Sequence, residues 1–165
     1  MMQKENTFKR RIQINITKEF EEKILDTFFN VYGTNMDKIF VAVDSLIIAS
    51  KIFPPTKCKK YWKKVYEYYQ YLLLILKGNR IPIYVNLSTI PIELLKEKKI
   101  LTNRQAFFIE AKDIFLELKM ALKLNVPFRE EHIVYFAIAN YLCLKLEDIQ
   151  CSCDILVNNE KENNY

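Results

Sequence analysis

The chain has 165 residues, half of them apolar and only two of them glycine, so we expect a mainly helical fold with a sizeable core. Two glycines exclude a glycine-rich phosphate loop, and the sequence shows no paired carboxylates or nucleophile–histidine arrangement, so we expect no enzyme activity. The formal net charge of +5 is uneven: residues 1–78 hold 14 Lys and Arg against 8 Asp and Glu, and residues 79–165 hold 11 against 12. Only the first part therefore has the electrostatics to attract a polyanion.

The cysteines and the apolar runs bear on cofactors and location. The four cysteines (Cys58, Cys143, Cys151, Cys153) lack zinc-ribbon spacing, so we expect reduced thiols, with Cys143 in the core, and neither metal nor cofactor. No run is long and apolar enough to span a bilayer, and no apolar region follows the charged N-terminus. We expect a cytoplasmic protein, nucleoid-associated or in the cytoplasm of a host cell, without a membrane partner.

The N-terminal region reads as an arm, a strand and a helix. Residues 1–7 are polar and are expected to form a flexible arm. Residues 9–16 alternate, with Ile12, Ile14 and Ile16 on one face and Arg11, Gln13 and Asn15 on the other, which is the period of a half-buried strand. Thr17 then caps a helix with glutamates in its first turn, and Gly33 is the expected stop.

Two further helices follow. Thr34 and Asp37 form a capping box at the start of a helix over about 35–52. The next helix, over about 57–77, opens with KCKKYWKK and ends near Gly78. Its five lysines could contact DNA phosphates, namely Lys57, Lys59, Lys60, Lys63 and Lys64. The alternative is an ordinary solvated helix face with Trp62, Val65 and Tyr69 packing inward.

The remaining chain repeats this plan. Residues 80–87 alternate as a second strand, with Ile81, Ile83, Val85 and Leu87 expected inward and Pro82, Tyr84 and Asn86 outward. Pro82 must turn its nitrogen away from the partner strand. A short helix from Pro91 to about Ile100, a helix over about 103–124 capped at Thr102, and a last helix over about 129–147 are expected next. Residues 150–165 are a polar tail that we expect to be disordered.

The plan reflects an internal repeat. TNMDKIFVAVDSLI at 34–47 matches TNRQAFFIEAKDIF at 102–115, RIQINIT at 11–17 matches RIPIYVN at 80–86, and QYLLLILK at 70–77 matches NYLCLKLE at 140–147. The offsets of 68, 69 and 70 indicate a duplicated unit of about 70 residues. The predicted domains are therefore a first module at 8–78, with a basic third helix, and a diverged second module at 79–149.

The strand at 10–17, the helix FEEKILDTFF, the turn at Gly33-Thr34-Asn35 and the helix MDKIFVAVDSLI resemble the ribbon-helix-helix family of DNA-binding regulators. In that family two strands pair antiparallel and enter the major groove. The resemblance implies base contacts from Arg11, Gln13 and Asn15, and from Arg80 and Tyr84 of the second copy. It also implies phosphate contacts from the second-helix N-terminus at Thr34 and Asn35, and we expect further ones from Lys9 and Arg10. Independently, Arg can grip guanine bidentately, and Gln and Asn can grip adenine.

Two arrangements of the strands are open. The strand at 11–16 could pair with the strand at 80–87 of the same chain, giving a pseudo-dimer with an asymmetric reading face. Alternatively, it could pair with its counterpart in a second chain, giving a homodimer whose second module serves another purpose. The repeat favours the first arrangement, and the charge difference favours the second.

The expected fold is mainly α with a short two-stranded antiparallel ribbon, built as tandem ribbon-helix-helix modules that each carry a third helix. The expected function is sequence-specific binding of double-stranded DNA, as a transcriptional regulator of a virus, plasmid or prokaryotic host. The alternative is an all-helical, cyclin-box-like adaptor between proteins, suggested by the apolar helices VAVDSLIIASKI and VYFAIANYLCLKL. That alternative predicts loops at 9–16 and 80–87.

Overall fold

The computed structural model describes residues 10–30, 32–88 and 99–147, and these contain two strands and five helices. Strand β1 is Arg10–Thr17 and strand β2 is Arg80–Ser88. Helix α1 consists of Lys18–Phe20, a π-helical turn at Glu21–Leu25, and Asp26–Phe28 in direct succession. The other helices are α2 (Asn35–Ile52), α3 (Lys59–Ile75), α4 (Lys99–Leu122) and α5 (Glu130–Leu146). The prediction of a mainly helical fold with a short antiparallel ribbon is confirmed.

Caps predicted from the sequence begin two of the helices. The Thr17 hydroxyl accepts a hydrogen bond from the Phe20 N–H at 3.0 Å, and it donates to the Ile75 carbonyl at 2.7 Å. Thr34 and Asp37 form the predicted capping box at the start of α2. The prediction that Gly33 stops α1 is wrong, because α1 ends at Phe28, five residues earlier. Gly33 instead leaves space for Asp37, whose Oδ2 would lie 2.8 Å from a Cβ at that position.

The second copy departs from its predicted boundaries at α4. This helix begins at Lys99, so Thr102 lies within it and is not its N-cap. The physical reason is local: the position equivalent to Gly33 is Leu101, a good helix former, and nothing there interrupts the helix. The expected short helix from Pro91, the arm at 1–7 and the tail at 150–165 lie outside the described residues, apart from 99 and 100, which belong to α4.

The two strands pair with each other within the chain. Ile14 lies opposite Ile83 in the antiparallel register, with Gln13 opposite Tyr84 and Asn15 opposite Pro82. Both main-chain polar groups of Asn15 bond to α5 and not to β2: its N–H donates to Glu131, and its carbonyl accepts from the Tyr135 hydroxyl. Asn15 and Pro82 therefore form a non-hydrogen-bonded pair, which is why a proline is tolerated there and why its nitrogen faces away, as predicted.

The core lies between the inner face of the ribbon and the helices. Ile12, Ile14 and Ile16 are buried on β1 and Val85 on β2, whereas Ile81, predicted to point inward, is 55% exposed near the end of the ribbon. Helix α5 packs against α2 and α3. Every residue of α5 from Ile133 to Cys143 is buried, which identifies it as the central helix. None of the described helices is long and apolar enough to cross a membrane.

Residues that are equivalent in the sequence repeat meet in space. Ile14 and Ile83, at offset 69, are directly opposite in the ribbon. Phe40 and Phe108, at offset 68, form an edge-to-face pair with ring centroids 6.0 Å apart. A contact between a residue and its own repeat equivalent is what a local two-fold axis through the ribbon would produce.

Candidate nucleic-acid interface

The outer face of the ribbon is the polar surface on which the predicted base-contacting residues meet. Arg11, Gln13, Pro82 and Tyr84 are exposed there, and Asn15 is half-buried at its edge. The register places Gln13 directly opposite Tyr84, so both project to the same side of the ribbon. The opposite face carries the isoleucines of the core. The alternation in each strand thus produces one continuous solvent-facing polar surface from two distant segments.

Arg11 and Tyr84 form an exposed pair on this face. The guanidinium carbon of Arg11 lies 4.6 Å from the centroid of the Tyr84 ring, which is within the range of a cation–π contact. The Tyr84 side chain is 46% exposed, so the ring holds the guanidinium without burying it. The contact restricts the arginine rotamers and leaves its planar hydrogen-bond donors directed to solvent.

The two amides on β1 belong to a hydrogen-bond network that ends on α5. Gln13 Nε2 donates to Asn15 Oδ1 at 2.9 Å, and Asn15 Nδ2 donates to Glu131 Oε2 at 3.0 Å. The Asn15 main-chain N–H donates to the same carboxylate oxygen at 2.8 Å. The Tyr135 hydroxyl lies 2.6 Å from that oxygen and 2.5 Å from the Asn15 carbonyl, so its single proton is shared between the two acceptors. Both polar atoms of the Asn15 amide are therefore engaged within the protein, whereas the Gln13 side chain is exposed.

Glu131 is ionised in this network. Partial burial raises the pKa of its carboxyl group, but hydrogen bonds from Tyr135 and from the main chain and side chain of Asn15 outweigh burial, so the pKa lies below its ordinary value. The neighbouring His132 bonds through Nδ1 to the Tyr69 hydroxyl at 2.7 Å, and burial lowers its pKa. His132 thus packs at the start of α5, and the negative charge of Glu131 lies at the edge of the ribbon.

Arg80, a predicted base contact, lies at the end of the ribbon. Its Nε donates to the Leu76 carbonyl at 2.7 Å, in the last turn of α3, where the carbonyls of a helix attract a positive charge. Its register partner is Thr17, whose side chain is buried. The structure therefore places Arg80 as a cap on α3, at the end of the polar face of the ribbon and not at its centre.

The N-terminus of α2, predicted to hold a DNA phosphate, is occupied by protein groups. The Thr34 N–H donates to Asp37 Oδ2 at 2.9 Å, and Asn35 Nδ2 donates to Glu21 at 2.9 Å. The Asp37 carboxylate therefore sits where a phosphate would bind and would repel one. A phosphate at this position would have to displace the capping box.

The lysine cluster of α3 is separated from the ribbon. Helix α3 reaches the ribbon at its last turn, through Ile75 and Leu76, whereas the lysines lie in and before its first two turns. Residues 59–64 are therefore roughly 15–25 Å along the helix from that contact, at 1.5 Å per residue. Trp62, Val65 and Tyr69 pack inward, as expected if the lysines only form the solvated face of the helix. Lys57, Lys59, Lys60 and Lys63 are exposed, and Lys64 is half-buried near Glu67.

Sequence reasoning did not identify Glu131 or Tyr135. They lie 116 and 120 residues from Asn15 and read as an ordinary acidic first turn and an ordinary core aromatic. Their i, i+4 spacing on one helix face was the available signal. Lys9 lies outside the described residues, and Arg10 is described only through its backbone in β1.

Cys58 and Cys143 are buried, so the placement of Cys143 in the core is confirmed. Among the described residues, no three His, Cys, Asp or Glu side chains are grouped so that they could hold a metal ion. The chain was also compared with protein-family models, with curated proteins and with solved structures, and none of these matches it.

Proposed function

We propose that the protein binds double-stranded DNA by placing the outer face of the β1–β2 ribbon in the major groove. The observation that carries the proposal is a single exposed face on which an arginine, an amide and an aromatic ring stand together. A two-stranded ribbon fits the major groove, whose edges offer acceptors for Arg11 and a donor–acceptor pair for Gln13. The positive charge of residues 1–78 would favour association with a polyanion.

We assign different roles to the polar residues of this face. Arg11, Gln13 and Tyr84 are the residues that we propose touch the bases. Asn15 acts as a positioning residue, because its amide is held between Gln13 and Glu131 and orients the Gln13 side chain. Because Pro82 and Tyr84 occupy the repeat positions of Gln13 and Asn15, the two strands present different chemistry, and a non-palindromic site is expected. The contacts between repeat-equivalent residues support the tandem, pseudo-dimeric arrangement that this requires.

The test is fluorescence anisotropy with a random-sequence DNA duplex across a salt series. Wild type would be compared with the variant Arg11→Ala/Gln13→Ala/Tyr84→Ala and with a matched control, Lys59→Ala/Lys63→Ala, which removes two exposed lysines distant from the ribbon. We expect affinity to fall with salt, at a slope of about 0.9 per phosphate contacted, and to drop at least about tenfold in the ribbon variant only. An operator role would then be sought by selection from random duplexes.

Absence of binding at low salt would overturn the proposal. Loss of binding in the lysine variant with normal binding in the ribbon variant would move the interface to α3. The adaptor alternative predicted loops at the two ribbon segments, and this part was wrong because both are strands. Its function stays a prediction, and a protein that binds no DNA would favour it.

A further inference from the structure

Helix α4 carries a line of large apolar side chains on its solvent side. Ile109, Leu116 and Met120 are 61%, 41% and 72% exposed. Together with Asp113 they follow an i, i+4, i+7, i+11 spacing, which places them on one face of a helix. The buried face of α4 lies opposite, at Phe108, Ala111, Ile114, Phe115 and Leu118. A single exposed apolar residue is ordinary, but three aligned along one helix form a patch that calls for a partner.

Charges on the two sides of this α4 stripe are sorted by sign. Helical spacing places Glu110 and Glu117 along one side, with Asp113 between them and the apolar line, and all three are exposed. The other side carries Lys112 and Lys119. Both lysines are held in place by the same chain, since Lys112 lies 3.9 Å from Glu130 and Lys119 donates to the Val126 carbonyl. The apolar stripe is therefore bordered by an acidic edge and a basic edge.

From this arrangement we infer that two copies of the chain associate through α4, with the two helices parallel about a two-fold axis that runs along them. Such an axis brings each apolar residue against its own counterpart and sets Glu110 and Glu117 of one helix against the basic edge of the other, and Asp113 is the one acid that comes near its own counterpart. An antiparallel pair would instead set acid against acid and lysine against lysine along both edges, which is less favourable. The charge pattern thus selects a second copy as the partner and also selects its direction.

A hollow beside the stripe fits this association. It is lined by Thr56, Asp113, Leu116, Glu117, Met120 and Ala121. Such a hollow offers space for side chains of the partner helix, and methionine adapts well to irregular contacts. The association does not involve the polar face of the ribbon, so it is independent of the proposed DNA binding and can be measured without DNA.

Helix α2 provides a matched comparison. Ile48 and Ile52 occupy the repeat positions of Leu116 and Met120 and are 48% and 54% exposed. Here, however, Asp44 and Lys51 fall on the same side of the apolar residues, so the edges are not sorted by charge. The α2 face therefore lacks the electrostatic pattern that specifies a parallel pair, and we assign the association to α4.

Sedimentation equilibrium tests whether the pair forms. Wild type is expected to show twice the 19.7 kDa of one chain, the variant Leu116→Glu/Met120→Glu is expected to be monomeric, and Ile48→Glu/Ile52→Glu is expected to remain dimeric. Circular dichroism spectra would confirm that both variants are folded, which is expected because all four side chains are largely exposed. A monomeric wild type, or a dimer broken only by the α2 variant, would overturn the inference.

Oxidative cross-linking tests the direction of the helices. Ile109→Cys, Leu116→Cys and Met120→Cys would be made singly in a Cys151→Ser/Cys153→Ser background, in which Cys58 and Cys143 are buried. A parallel pair brings every residue of the stripe to its counterpart, so all three variants should form cross-linked dimers. An antiparallel pair brings only residues near its axis together, so cross-linking at one position alone would refute the parallel arrangement.

Discussion

The hydrogen bonds between Glu131 and the ribbon lead to a quantitative prediction for the variant Glu131→Gln. The Glu131 carboxylate accepts three hydrogen bonds, from Tyr135 and from the main chain and side chain of Asn15. The glutamine amide that replaces it is neutral, so its oxygen accepts weaker hydrogen bonds. Hydrogen bonds to charged groups contribute about 1.5–3 kcal/mol each when buried, but this carboxylate is only half-buried, so we expect a total loss of about 1–2 kcal/mol in the free energy of unfolding. In a chain of this size that lowers Tm by about 2–8 °C.

The pH dependence follows from the lowered pKa. Because the pKa of Glu131 lies below its ordinary value of 4.5 in the folded protein, the stabilisation is fully present above the unfolded pKa and is lost as the pH falls through the folded pKa. Urea unfolding of wild type and Glu131→Gln should therefore differ at neutral pH, and the difference should shrink as the pH falls through the lowered pKa of the folded carboxyl group.

Glu130→Gln is the matched control, since it removes a charge from the same first turn of α5 and has the same effect on the helix dipole. Its contact with Lys112 is long, at 3.9 Å, and contributes little. Equal destabilisation by the two variants at neutral pH, or a Glu131→Gln difference that persists in acid, would refute the reasoning.

Three further outcomes are expected. Tyr61→Phe should lower the free energy of unfolding by about 1–3 kcal/mol in urea, because the Tyr61 hydroxyl donates to Oδ1 of the fully buried Asn140 at 2.6 Å and the amide would lose that donor. Gly33→Ala should lower the free energy of unfolding by about 1 kcal/mol, because the new methyl group displaces the Asp37 carboxylate from its cap. In an Asp37→Ala background this loss should largely vanish, and an equal loss in both backgrounds of a double-mutant cycle would contradict the explanation. Burial raises the pKa of the Cys143 thiol to about 12, so a thiol reagent at pH 8 should modify it only after unfolding, as mass spectrometry of the labelled peptide would show.

The sequence by itself determined the local elements. Strict alternation predicted both strands, because a period of two is the pattern of a half-buried ribbon, and Thr17 and Thr34 predicted helix starts because their hydroxyls satisfy backbone N–H groups. Because Pro82 has no N–H, the sequence also predicted that its nitrogen faces away from the partner strand. The predicted helix boundaries were wrong at two positions, Leu101 and Gly33, where the residue type does not by itself fix the end of a helix. Leu101 let α4 extend back to Lys99, and Gly33 served the Asp37 side chain, not the end of a helix.

Only the tertiary structure decided which polar side chains of the ribbon are already hydrogen-bonded within the protein and which are exposed to a partner. Asn15 has the side-chain chemistry of a base-contacting residue. Only the packing of α5 against β1 shows that Glu131 and Tyr135 engage its amide and main chain. Alternation fixes which face a side chain occupies but not which distant helix covers that edge, because this depends on contacts across more than a hundred residues. The same holds for the partner of β1: hydrogen bonding along a strand specifies that a partner exists, and only the packing of the helices brings β2 of the same chain to that edge.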